Sequence, residues 1–242
     1  MYSFDEFAER LCSSLEQCGL ERYSFAQSAL FKIAQRLEEC GRQFNLTAIT
    51  DPEQVLKKHI LDSLFCAAAA ERVGGESILD VGSGAGFPSL PMAAVIPSAG
   101  VTAMDSTGKK TVYMNETARL SGLSNFYAVC ARAEEAAHDG NMRESFNVVS
   151  ARAVARLNVL MELCAPFVRV GGCFIAMKGA AADLEREESL SCAKKLNLRL
   201  ENLLQYEIPG LSDSRALLIY VKTAPCSAEY PRNYSRIAKK PL

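Results

Sequence analysis

The stretch "ILDVGSGAGFPSLP", residues 78–91, decides the fold. An apolar run ending in Asp80 meets three glycines at alternate positions, Gly82, Gly84 and Gly86, and Phe87-Pro88 then opens a helix. A strand, a glycine-rich turn and a helix in that order are the first unit of a parallel α/β sheet, whose ligands lie at the carboxyl edge of the strands. Glycine permits positive φ and carries no Cβ, so the turn is expected to bring its main chain, N–H groups included, against a ligand. A pyrophosphate-binding G-x-G-x-x-G would place its third glycine at 87, where Phe87 stands, and no Lys-Ser/Thr follows as a phosphate loop requires. A glycine-rich turn with no ligand is the purely structural alternative.

Outward from this point, β-rich runs alternate with helical stretches, the pattern of a mostly parallel sheet covered on both faces. Strands are expected at 77–82, 101–105, 126–131, 146–151, 172–178, 198–206 and 216–222. The last two, joined by "PGLSDS", form a hairpin that adds an antiparallel strand. Residues 1–70 read as a helical cap, 71–224 as the α/β domain and 225–242 as a basic tail. Within the cap, Ser3 with Glu6 and Ser24 with Gln27 have capping-box spacing, and Asp51-Pro52 is an N-cap followed by an N1 proline. Gly19 and Gly41 are expected to stop helices.

The chain has 242 residues, 49% of them hydrophobic, enough for one sizeable core. No apolar stretch reaches the roughly 18 residues of a membrane span, and "YSFDEFAER" after Met1 is no signal peptide, so a soluble, cytoplasmic protein is expected. Nine cysteines without a C-x-x-C pair, together with only two histidines, indicate buried reduced thiols and no metal site. The net charge of -1 hides a basic end: Lys222, Arg232, Arg236, Lys239 and Lys240 against Glu229. This is either a footprint for RNA or a solvated tail.

Two carboxylates narrow the ligand. Asp80 precedes the loop, where its charge can face a cation, and Asp105 ends the next strand, where an acid accepts hydrogen bonds from ribose hydroxyls. A nucleoside with a cationic, phosphate-free arm fits both, and S-adenosylmethionine is such a molecule. After the fourth strand the chain reads Ser150-Ala151-Arg152, with no Asn/Asp-Pro-Pro-aromatic run and no nucleophilic cysteine; Pro225-Cys226 lies beyond the sheet. Arg152 leaves the strand beside the cofactor and is the first candidate for catalysis. A salt bridge to Glu134 or Asp80 is its structural alternative.

Six segments, "NLTAITDPEQVLKKHILDSL" (45–64), "DVGSGAGFPSLP" (80–91), "DSTGKK" (105–110), "RAEE" (132–135), "SARAVARL" (150–157) and "AMKG" (176–179), follow one another as in a known family. The chain resembles the RsmG (GidB) family, bacterial enzymes that methylate N7 of a guanine in the 530 loop of 16S ribosomal RNA. The resemblance implies a Rossmann-like methyltransferase domain of seven strands and cofactor contacts at Gly82, Phe87, Ala133, Glu134 and Arg152, beside Asp80, Gly84, Gly86 and Asp105. It also implies a substrate side formed by Asn45, His59, Asp62 and Ser63. Arg132 and Lys178, at strand ends, and Arg232, in the tail, are candidate RNA contacts. The tail "YPRNYSRIAKKPL" lacks the Gly-x-Pro segment of many relatives. The expected partner is 16S ribosomal RNA or the assembling 30S subunit, met by a monomer without metal. A small-molecule methyltransferase and a non-catalytic nucleotide-binding module are the other readings.

Overall fold

The computed structural model describes residues 2–44, 46–153 and 155–242. Seven strands, β1 (Ser77–Val81), β2 (Gly100–Asp105), β3 (Phe126–Cys130), β4 (Phe146–Arg152), β5 (Val168–Lys178), β6 (Leu198–Tyr206) and β7 (Arg215–Lys222), form one sheet in the order β3-β2-β1-β4-β5-β7-β6. The first five are parallel; β7 lies between β5 and β6 and runs antiparallel to both. The hairpin therefore folds back into the sheet, with β6 at the edge. Because β6 runs parallel to β5 and the hairpin reverses once into β7, Tyr206 at the end of β6 and Arg215 at the start of β7 come to the same carboxyl edge as Asp105, Arg152 and Lys178.

Strand alternation divides the core in two. Ile78, Val148, Ile175 and Leu217 face one side and pack with the N-terminal helices. Leu79, Val149, Phe174 and Leu218 face the other, against α8 (Leu157–Cys164) and its neighbours. The helices α1 (Phe4–Cys18) and α2 (Gln27–Phe44) bury Leu11, Leu15, Leu30 and Ile33 in the same cluster as the sheet residues. They are the cover of one sheet face, without a separate core.

The capping box of Ser3 and Glu6 forms, and Gly19 closes α1 in the left-handed region at φ 66°. Ser24, expected as an N-cap, lies inside a 3-10 turn over Glu21–Ala26, and α2 starts only at Gln27. It continues through the buried Gly41, where a stop was expected. Asp51 caps α3 (Pro52–Val55) through Gln54 N–H. The chain then passes through a π turn, Leu56–Leu61, into α4 (Asp62–Arg72). Such an extra residue in a turn rotates the following side chains, and here it delivers His59 and Asp62 to the carboxyl edge. The remaining helices are α5 (Ser89–Val95), α6 (Gly108–Leu120), α7 (Ala133–Ala136), α9 (Ala182–Glu188), α10 (Leu190–Lys195) and α11 (Tyr234–Lys239).

All nine cysteines are free, and Cys130 is exposed rather than buried as expected, with Cys12 and Cys18 half-buried. Among the described residues no helix is long and apolar enough to cross a membrane, and no cluster of metal-ligating side chains occurs.

Candidate active site

The glycine loop is a wall whose polar groups are spent inside the protein. Gly82 and Ser83 donate their N–H groups to Met104 O, Gly84 donates to Asp105 Oδ2 at 3.0 Å, and Gly86 and Phe87 donate to Ser83 O. The expectation that these amides face a ligand is thus corrected: three tie the loop to the end of β2 and two close the loop on Ser83. The glycines are needed for conformation, since Gly82, Gly84 and Gly86 have φ of 75°, 60° and 87°. At Gly86 space matters too, for a Cβ would stand 2.4 Å from Leu90 Cδ1. With these five N–H groups occupied, the loop is no phosphate cradle, which suits a ligand without phosphate.

Beside this wall is a cavity of about 260 Å³ lined by Gly82, Asp105, Ala133, Glu134, Leu163 and Tyr234, among others. Asp105 is buried to 8% exposure, accepting Gly84 N–H on Oδ2 and Thr107 N–H on Oδ1, with Lys110 Nζ 3.7 Å away. A carboxylate has about four lone-pair sites, so Asp105 retains acceptor capacity toward the cavity. Val81, Met104, Ala131 and Leu163 give the cavity an apolar lining. Ribose at Asp105 and a purine against the apolar lining fit this chemistry. Arg132, 60% exposed at its side chain, stands at the cavity mouth 3.9 Å from Glu134.

Asp80 does not face this cavity. It is fully buried, its Oδ1 accepts the Ser150 hydroxyl at 3.0 Å, and its Oδ2 has no hydrogen-bond partner. Burial pushes its pKa up. The expected exposed charge before the loop is instead a carboxyl beneath it.

Arg152 belongs to a second and larger cavity, of about 760 Å³, which His59, Asp62, Lys178, Tyr206 and Arg215 also line. Its guanidinium donates to Lys58 O at 2.8 Å and Asp62 Oδ2 at 3.0 Å, and its Nη2 is 3.1 Å from His59 Nδ1. The partner is Asp62, not Glu134 or Asp80 as the structural alternative supposed. Phe87 joins this cluster from the glycine loop: its ring stacks on His59 with centroids 4.7 Å apart, and Arg152 Cζ lies 5.7 Å from its centroid. Buried at 3% exposure, Phe87 is the link between the loop and the cation cluster.

Asp62 is clamped. Besides Arg152 it accepts Tyr206 Oη–H at 2.7 Å and Arg215 Nη1–H at 2.8 Å, both on Oδ1. Lys178 donates to Ala155 O and Glu185 Oε2, each at 2.7 Å. His59 is 8% exposed, and burial, with Arg152 beside it, lowers its pKa to about 3. Ser63, expected on the substrate side, is fully buried and donates to His59 O at 2.6 Å, so it steadies the helix and lies away from the cavity. Asn45 lies outside the described residues.

Arg232 is also corrected. It grips Glu162, which is fully buried, through Nε at 2.7 Å and Nη2 at 2.6 Å, and so fastens the tail to α8 instead of offering charge to RNA. Lys222 is likewise fully buried against Glu144 and the carbonyls of Ala165 and Val168. Sequence reasoning missed Thr47, Tyr206, Arg215 and Glu185. A legible signal existed for two of them: Tyr206 and Arg215 are polar ends of apolar strands and pair directly in the hairpin.

The family model described as rRNA small subunit methyltransferase G matches residues 26–214. The chain belongs to that family. It is 34% identical over 237 residues to ribosomal RNA small subunit methyltransferase G of Clostridium botulinum, covering 98% of this chain and 99% of the relative. It is 41% identical over 204 residues to the enzyme of that name from Pelotomaculum thermopropionicum, with 84% and 85% covered. Among solved structures it is similar to a putative O-methyltransferase from Klebsiella pneumoniae, with TM-score 0.56, 14% identity and 79% and 90% coverage. It is similar also to a 16S rRNA (adenine(1408)-N(1))-methyltransferase from Catenulisporales acidiphilia, with TM-score 0.50, 15% identity and 67% and 92% coverage. These likenesses confirm the Rossmann-like methyltransferase fold. Gly82 lines the smaller cavity, and Phe87 of the same loop stacks on His59, which lines the larger one.

Proposed function

We propose that this methyltransferase transfers the methyl group of S-adenosylmethionine to N7 of a guanine in the 530 loop of 16S ribosomal RNA. The donor supplies a methyl carbon activated by a sulfonium. Asp105 holds its ribose, Ala133, Glu134 and Leu163 surround its base, and the Gly82–Gly86 wall excludes water from one side.

The observation that carries the reading is the arrangement around Asp62. Guanine N7 bears a lone pair and no proton, so methylation there needs positioning and electrostatics but no general base. The second cavity has that character. The oxygens of Asp62 are taken by Arg152, Tyr206 and Arg215, Glu185 is held by Lys178 and Leu157 N–H, and His59 points its unprotonated nitrogen at a guanidinium. Cationic donors remain. Arg152 reaches guanine O6 or a neighbouring phosphate, since a donor on N7 would occupy the attacking pair. Lys178 and the exposed Arg132 take phosphate oxygens. N7 faces the deep groove of an A-form helix, so the base enters unpaired or turned out.

The test is methyl transfer from labelled donor to 30S particles from cells lacking this enzyme, beside free guanosine. Label in the 16S RNA and none on guanosine is expected; comparable labelling of guanosine would overturn the RNA reading.

A further inference from the structure

We propose that Tyr234 stacks on the adenine base of the methyl donor, and that the C-terminal segment is a latched wall of the cofactor cavity. This rests on the reading of that cavity given above.

The other lining residues come from the strand ends, from α7 and from Leu163 of α8, whereas Tyr234 is carried in by the last helix of the chain. The helix does not lie there loosely. Ile237, three residues on, is fully buried in the core on the α8 side of the sheet, and Asn233 caps the helix through Ser235 N–H. Arg232 donates its main-chain N–H and two N–H groups of its guanidinium, on Nε and Nη2, to Glu162, the neighbour of Leu163. Farther back, Arg143 donates to the carbonyls of Cys226, Ser227 and Tyr230, Glu144 accepts Cys226 N–H, and the His138 ring lies 3.0 Å from Pro231 O. His138, Arg143 and Glu144 follow directly on α7, which contributes Ala133 and Glu134 to the cavity.

The tail is therefore bolted to the two helical segments that build the pocket, and its attachment fixes where Tyr234 stands. Tyr234 is 43% exposed although its helix is anchored, and it lines the apolar cavity, so an accessible aromatic residue stands beside the ligand space. Purines stack well on such a face. Stacking of ordinary strength corresponds to roughly ten- to hundredfold in affinity.

The experiment is titration calorimetry of the full chain with S-adenosylmethionine, S-adenosylhomocysteine and adenosine. Tyr234→Ala should weaken all three by the same factor, about tenfold or more, because the ring touches the part they share. Tyr234→Phe should bind as the parent does, and the melting temperature of ligand-free Tyr234→Ala should not move. Arg232→Met should weaken binding as well, through release of the segment. Unchanged affinity in Tyr234→Ala, or equal loss in Tyr234→Phe, would overturn the stacking. Unchanged affinity in Arg232→Met would overturn the latch. If the parent protein bound none of the three ligands, the functional reading would fall, and this one with it.

Discussion

Arg152 Nη2 lies 3.1 Å from His59 Nδ1. A guanidinium has donors only, so Nδ1 accepts and the single imidazole proton sits on Nε2, directed at Thr47 Oγ1 at 3.1 Å. Thr47 Oγ1 also accepts Ile49 N–H at 3.1 Å, which uses its second lone pair. The geometry alone thus defines a neutral histidine of known tautomer, and its lowered pKa agrees.

A histidine held neutral makes the fold sensitive to acid. Its ordinary value of 6.5 falls to about 3 on folding, so the unfolded chain binds the proton more readily. The contribution to stability is complete above about pH 6.5 and is lost as the pH falls toward about 3. Denaturant midpoints measured across that window should report a loss near 1.4 kcal/mol per pH unit from this group. In His59→Gln that component of the slope should vanish.

The clamp on Asp62 is a stability device as well as a positioning one. Asp62→Asn leaves Arg152 and Arg215 without their carboxylate, and breaking a buried pair costs about 3–5 kcal/mol. Tyr206→Phe removes one hydrogen bond to the same charge, about 1.5–3 kcal/mol. Both should reduce methyl transfer, with S-adenosylmethionine affinity unchanged where the protein is folded. Equal stability of Asp62→Asn and the parent in urea titrations would show that the clamp is unimportant.

Gly84 and Gly86 should respond differently to alanine. Both have positive φ, worth about 1–2 kcal/mol for a side chain. A Cβ at Gly84 meets nothing nearer than Gly82 O at 3.9 Å, while at Gly86 it meets Leu90. Gly86→Ala should therefore be the less stable protein, and adding Leu90→Ala should recover part of its deficit relative to Leu90→Ala alone. Thermal melts of the four variants and the parent decide it.

Much of this architecture could be read from residues 78–91 and from the alternation that follows, because period-two patterning and a glycine turn are local properties. The seven strands lie within a few residues of their expected places, with β5 starting earlier, at Val168. Partnership across the chain was not legible. Nothing local in "YPRNY" shows that Arg232 meets Glu162, and nothing near Lys222 shows that it is buried, so a basic end that allowed either an RNA footprint or a solvated tail has two of its five cations engaged by internal partners. Asp80 misled for the same reason: a carboxylate before a glycine loop looks exposed until the fold buries it beside Ser150 of β4. Arg152 was found because it ends a strand, but its partner Asp62 is brought in by a π turn that has no sequence period.

Loss of the Arg232 side chain should act on folding and not on ionic attraction to RNA. Arg232→Met leaves the buried Glu162 uncompensated and should cost about 3 kcal/mol or more, while the salt dependence of RNA binding stays as it was. Arg132→Ala should do the reverse, lowering the slope of log affinity against log salt by about one without changing the melting temperature. Filter binding at several salt concentrations separates the two.

The most direct test of the central claim is to locate the methyl group chemically. After incubation of 30S particles lacking the modification, the RNA is treated with borohydride and aniline, which cut the chain at N7-methylguanosine, and the breaks are mapped by primer extension. The account predicts one new break, at a guanine of the 530 loop, present with the parent protein and absent with Arg152→Ala. A methylated RNA that resists cleavage, or one cut elsewhere, would contradict it.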